Sequence, residues 1–240
     1  STISENIISN KGIAVSGNGS SSINIEDAIL CDNITDYGGD VAGEYPLIVS
    51  TSEIDLQIAD STICDNQLKA IDIESSYGGP VTATIKNSRI SNNHSSDKSA
   101  GILATASSNG NLALNIENST IDNNSGFGGG IDVNALYDSN LILTLINSTV
   151  SSNKNDNGSD DGGLSLRSDA NSQISAKILY TTITKNENSS HGAGVVVNGT
   201  TENTNVVIKN SIIADNNSYY GADNDLFGSF TVENSLIGDN

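Results

Sequence analysis

Three carboxylates and two thiols have the types and spacing to do chemistry: Glu5, Asp32 and Asp65, and Cys31 and Cys64. Cys31 precedes Asp32 and Cys64 precedes Asp65, so one interval of 33 residues carries a Cys-Asp pair onto the next. If such intervals stack, the three carboxylates form a column. Like charges directly opposite are unfavourable, so the column is either splayed into water or neutralised by a cation such as calcium, which takes oxygen ligands. The metal candidates are therefore Glu5, Asp32 and Asp65. Stacking also brings the two cysteine Cα atoms to about 4.8 Å, inside the disulfide range, leaving a bridge or a pair of free thiols as the alternatives. A bridge across that interval would contribute roughly 3 kcal/mol on the chain-entropy account. The stretch Asp156-Asn157-Gly158-Ser159-Asp160-Asp161 is also rich in oxygen ligands but lacks the closing glutamate of a calcium loop.

Acid–base chemistry finds less. A lyase needs a basic side chain beside cation-binding acids, and a hydrolase needs paired carboxyls facing one cleft. Arg89 and Arg167 lie in different repeats, as do His94 and His191. Asp72 and Asp132 occupy equivalent positions with Leu103 between them, which reads as a surface column. His191, in Ser190-His191-Gly192, resembles the histidine-glycine element of polygalacturonases, but the paired aspartate motifs that should precede it are missing. No catalytic residue is assigned.

The elements that must position these groups follow from a phrase repeated nine times: a hydroxyl residue, replaced by Ala28 in one copy, an aliphatic residue two places on, and an asparagine three places later, as in Ser119-Thr120-Ile121-Asp122-Asn123-Asn124. Its aliphatic anchors are Ile3, Leu30, Ile63, Ile90, Ile121, Val150, Ile183, Ile213 and Ile237; its asparagines run from Asn6 and Asn33 to Asn216 and Asn240. A period of roughly 30 residues means a solenoid, whose unit cannot bury its apolar face alone. Alternating runs such as Gly130-Ile131-Asp132-Val133 and Leu141-Ile142-Leu143-Thr144-Leu145 are half-buried strands, and no window has helical periodicity. The expected fold is all-β: a right-handed parallel β-helix of about eight coils, three short strands each, roughly 40 Å long, with an asparagine ladder.

Further columns flank the anchors. Asp27, Asp60, Asn87, Asn118, Asn147, Asn210 and Asn234 stand three residues before them, with Tyr180 as the exception. Ser61, Ser88, Ser119, Ser148, Thr181, Ser211 and Ser235 follow one place later. Both read as fold-forming, since short polar side chains bond the turns of a chain. Four places before the anchors, Lys86 meets Glu117 and Lys209 meets Glu233, the opposite charges that cross-strand neighbours prefer. Thr2 and Ser4, Thr149 and Ser151, and Thr182 and Thr184 flank their anchors as hydroxyl pairs on one face, an array that ice-binding β-helices use, interrupted by Ile29, Arg89, Asp122, Ile212 and Leu236.

A formal charge of -19 with ten Lys and Arg excludes the positive footprint of a nucleic-acid binder. No apolar run is long enough to insert this segment into a membrane. With no methionine and no signal-like start, residues 1–240 read as a single β-helix domain excised or processed from a longer protein.

Gly128-Gly129-Gly130-Ile131, followed by the aliphatic-x-x-Asn element, resembles the repeats of polymorphic outer membrane proteins and related β-helix proteins of bacterial surfaces. That resemblance implies a secreted or cell-surface passenger, stalk or adhesin with no catalytic residues to carry over. The expected function is non-catalytic surface binding to glycans or to host or neighbouring surface proteins, with self-association possible through the solenoid ends. A polysaccharide lyase or other carbohydrate-active β-helix enzyme is the alternative, and an ice-binding β-helix the third reading.

Overall fold

The computed structural model describes residues 2–4, 7–8, 13–16, 21–35, 48–51, 53–155, 162–169, 171–189, 192–199, 202–219 and 224–238. Every pairing between its strands is parallel, and the strands stack into a β-solenoid. The anchors form the first sheet: nine strands of two or three residues, from Thr2–Ser4 to Leu236–Ile237. Their register follows the anchor column, Leu30 on Ile63, Ile90 on Ile121, Val150 on Ile183. The glycine-led runs form a second, eight-stranded sheet from Ile13–Ser16 to Leu226–Phe227. The closing runs form a third, also of eight strands, from Ser21–Glu26 to Thr231–Glu233.

Each strand alternates because one face is the core. In the third sheet Ile85, Ile116, Leu145, Ile178 and Ile208 are all buried, one above another, while Lys86 and Glu117 face outward at 3.0 Å and Lys209 and Glu233 at 2.9 Å. Burying each such aliphatic side chain contributes roughly 2 kcal/mol, and the narrow interior has room for little else.

The corners account for the polar columns. Asp27, Asp60, Asn87, Asn118, Asn147, Asn210 and Asn234 all have φ between 48° and 50°, or 51° for Asn118, the left-handed region that Asn and Asp enter most easily. Tyr180, at 52°, takes the same conformation without that advantage. The hydroxyl column beside it lies inside: Ser61 Oγ accepts from Ala28 N at 3.1 Å and donates to Ala59 O at 2.6 Å, and Ser88, Ser119, Ser148 and Ser211 repeat the motif.

The asparagine ladder runs unbroken through Asn33, Asn66, Asn93, Asn124, Asn153, Asn186 and Asn216, each almost wholly buried. Asn124 is typical. Its Nδ2 donates to Asn153 Oδ1 at 3.0 Å and to Ile90 O at 3.0 Å, while its Oδ1 accepts from Asn93 N at 3.1 Å and Asn93 Nδ2 at 2.9 Å. The glycine that opens the second-sheet strand belongs to the same motif: a Cβ on Gly163 would stand 2.6 Å from Asn186 Nδ2. The ladder ends on a carboxylate, not an amide, since Asn216 donates N and Nδ2 to Asp225 Oδ1 at 3.0 and 2.7 Å. Asn6 and Asn240 lie outside the described residues.

Two expectations need correcting. The buried ladder of seven described asparagines bounds six coils, fewer than the eight counted from nine anchors, whose strands continue one step beyond the ladder at each end. A fourth sheet, absent from the three-strand expectation, follows the asparagine corner: His94–Ser99, Ser125–Gly128, Lys154–Asn155, Glu187–Asn188 and Asn217–Ser218. These strands are short and polar, so they carry no apolar alternation.

The central polar ladder predicts a graded cost. Asn124→Ala should lower unfolding free energy by about 3–5 kcal/mol, because it orphans Asn93 N and one Nδ2 hydrogen of Asn93, takes the side-chain donor from Ile90 O and leaves Asn153 Oδ1 with only the backbone N of residue 124. Asn118→Gly, which keeps the left-handed corner and removes only exposed bonds, should cost under about 1 kcal/mol. Urea unfolding of the two variants measures both, and equal losses would contradict the assignment.

Candidate functional site at the asparagine corner

Two of the three metal candidates lie among the described residues. Asp32 and Asp65 are exposed and adjacent in register, their backbones at φ 59° and 55°. The column continues as Asn92, Asn123, Ser152, Lys185 and Asp215, all at φ between 55° and 61°. A left-handed corner selects Asp and Asn on backbone grounds, so the two acids need no ion to account for them. Glu5 lies outside the described residues, as does the stretch 156–161.

Cys31 and Cys64 are joined as a disulfide, with Cα atoms 4.5 Å apart. Their sulfurs and a carboxylate oxygen of Asp65 lie within 4.8 Å of one another, but bonded sulfurs do not supply the thiolates that metals bind. Arg89 adds positive charge next to the same column. Its Nε and Nη2 bond the two oxygens of Asp122 at 3.0 and 2.7 Å, and these bonds, the charge of Asp122 and then that of Asp65 hold the guanidinium pKa above its ordinary value. The Arg89–Asp122 pair also crosses the hydroxyl face, leaving Thr149, Ser151, Thr182 and Thr184 as its regular part.

The remaining catalytic candidates do not converge. His94 Nδ1 lies 3.0 Å from Ser125 Oγ on the outer face of the fourth sheet, and His191 is outside the described residues. Asp72 pairs with Lys69 at 3.5 Å. The column of Asp72, Leu103 and Asp132 is not the surface that the sequence suggested. Asp132 is only 7 % exposed, and Leu103, Ser165 and Val196 beside it are buried. At Val196 the outer face of the second sheet is covered by Gly192, where a Cβ would stand 2.5 Å from Val196 Cγ2.

A cleft does exist where sequence reading placed nothing. It follows the concave bend between the anchor strands and the fourth sheet, with Asn186 of the ladder as its floor. Ser152, Lys185 and Asp215 form one wall, and Lys154, Glu187 and Asn217 the other, around about 490 Å³. A second hollow of about 260 Å³ shares Lys154, Glu187 and Asn217 and extends past Asn155, Asn188 and Ser189 to Tyr219. Lys154, Glu187 and Asn217 are register neighbours on successive strands, and Lys185 N donates to Asp215 O at 3.2 Å. Two ammonium groups and two carboxylates make this concavity neutral on a chain of charge -19. The signal that could have found it is Lys185 itself, a lysine in a column of Asp, Asn and Ser.

Compared with protein-family models, curated proteins and solved structures, the chain matches none.

Two measurements test these assignments. Asp65→Asn should leave the melting temperature within about 1 °C with or without calcium, whereas Asp65→Val should cost about 1–2 kcal/mol through its left-handed backbone; a calcium-dependent loss in the asparagine variant would instead point to a bound ion. Asp169 provides the pH test. Its carboxylate accepts from Tyr137 N on the neighbouring coil at 2.6 Å, then from the Ser172 side chain, and more weakly from Asn171 N and Ser172 N, and these bonds hold its pKa below the ordinary value. Its stabilising contribution is therefore present above the unfolded carboxyl pKa of about 3.9 and lost as pH falls through the folded value. Asp169→Asn should be less stable than the parent at pH 6, with the gap closing towards pH 2; a gap independent of pH would contradict this.

Proposed function

We propose that the protein is a non-catalytic β-helix module, secreted or displayed at a cell surface, that works by binding a partner along its side. The single observation that carries this reading is the polar cleft at the asparagine corner, built on a rigid ladder and lined by side chains able to donate and accept hydrogen bonds. Binding residues held on a rigid scaffold are the usual arrangement in recognition modules. The disulfide supports an extracytoplasmic setting, where such bonds persist. Among the described residues, no helix is long and apolar enough to cross a membrane. Glycans and surface proteins are the partner classes in keeping with an exposed, acidic, hydroxyl-rich rod.

A second reading is favoured by one feature of the same cleft. Lys154 and Lys185 share it with Glu187 and Asp215, so a base and acids stand together as a polysaccharide lyase would require. Incubating the protein with arrayed glycans and matrix proteins, and assaying the glycans for cleavage, separates the two readings. Reversible retention of one ligand class with no new chain ends is the expected outcome. Turnover that disappears on replacing Lys185 or Lys154 would overturn the binding reading in favour of the enzyme.

A further inference from the structure

We propose that the cleft between Lys185 and Lys154 binds a carboxylate-bearing oligosaccharide, with the Lys185 ammonium receiving the carboxylate and Tyr219 offering a ring face to a neighbouring sugar. This rests on the binding reading above and specifies its ligand.

The lining chemistry points to the class. Every side chain around the main hollow is polar, which disfavours a lipid or an aromatic small molecule, whereas amide, hydroxyl, ammonium and carboxylate groups in one trough match the alternating donors and acceptors of a sugar chain. The parallel sheets already use the backbone groups of the adjacent strands Lys154–Asn155 and Glu187–Asn188, so an extended peptide could not add to them at this corner. At the far end Tyr219 is 76 % exposed and borders the second hollow, an aromatic platform on a chain with only ten Tyr and Phe.

Lys185 supplies the acid preference. Lys69, Lys86, Arg89 and Lys209 each pair with a carboxylate, whereas Lys185, like Lys177 on the third sheet, forms no ion pair with a described residue, and Lys185 alone of these two stands in a cleft, one that contains Glu187 and Asp215. It also occupies a left-handed position, φ 57°, that the other described coils fill with Asp, Asn or Ser. The local backbone does not select lysine there, and departures from the local rule concentrate where a surface serves another end. An exposed ammonium at the wall of a neutral trough is a charge-assisted donor for a ligand carboxylate.

Lys185→Asn restores the residue type the corner prefers and should melt at or above the parent temperature, so lost binding cannot be laid to misfolding. Calorimetric titration with tetragalacturonate and with a neutral galactose tetramer of equal length, on parent, Lys185→Asn and Tyr219→Ser proteins, tests the proposal. The uronate should bind the parent at least about tenfold more tightly than the neutral chain, and Lys185→Asn should abolish that preference. Tyr219→Ser should weaken both ligands. Equal binding of the two tetramers, or uronate affinity unchanged by Lys185→Asn, would overturn the proposal. So would absence of binding by either tetramer; if the protein still held a surface protein, only this site assignment would fail. Unsaturated or shortened uronate in the cell would instead overturn the binding reading itself.

Discussion

A buried carboxamide cannot be left half-bonded, and the coil stack depends on that constraint. Each ladder asparagine has donors and an acceptor inside a water-free interior, where an unmet group costs about 1–3 kcal/mol. Stacking another copy at hydrogen-bond distance meets the demand, and each copy passes it to the next. The ladder thereby couples coils that apolar packing alone would let slide, since a slip by one residue would bury outward side chains and also break every amide contact. It explains Gly163, whose missing Cβ leaves room for Asn186, and it explains why the series ends on Asp225, whose carboxylate accepts without needing a further partner to accept from it.

Once the interior and corners have taken their residues, the outward positions remain. Lys86 with Glu117 and Lys209 with Glu233 serve the stack through complementary neighbours. Arg89 reaches across coils to the nearly buried Asp122, where a bidentate pair keeps a carboxylate from standing unpaired. Asp32 and Asp65 serve the left-handed corner. Tyr180 and Lys185 serve neither; they stand at opposite ends of the strand Thr182–Thr184, and Lys185 opens onto the cleft.

Much of this was legible because a solenoid writes each contact into the sequence at a fixed interval. The anchors, the hydroxyl and asparagine columns and the pairing of Lys86 with Glu117 all occur in the register read from the repeated phrase. What escaped has physical reasons. Strands as short and polar as Lys154–Asn155 show no period of two. Asp132 reads as exposed from strand alternation, but burial of a strand's outer face depends on chain returning from a different part of the coil. The cleft follows from the bend between two sheets, which composition does not encode, and Asp225 reaches the ladder from only nine residues beyond Asn216, outside the period.

Hydrogen exchange of the asparagine side-chain amides, resolved by NMR, tests the central claim most directly. The account predicts that the Nδ2 protons of Asn66, Asn93, Asn124, Asn153 and Asn186 exchange as slowly as core backbone amides such as that of Ile116, while those of the exposed corner residue Asn92 exchange rapidly. Ladder amides that exchange as fast as the corner amides, with the core backbone still protected, would show that apolar packing alone holds the coils and would contradict the account.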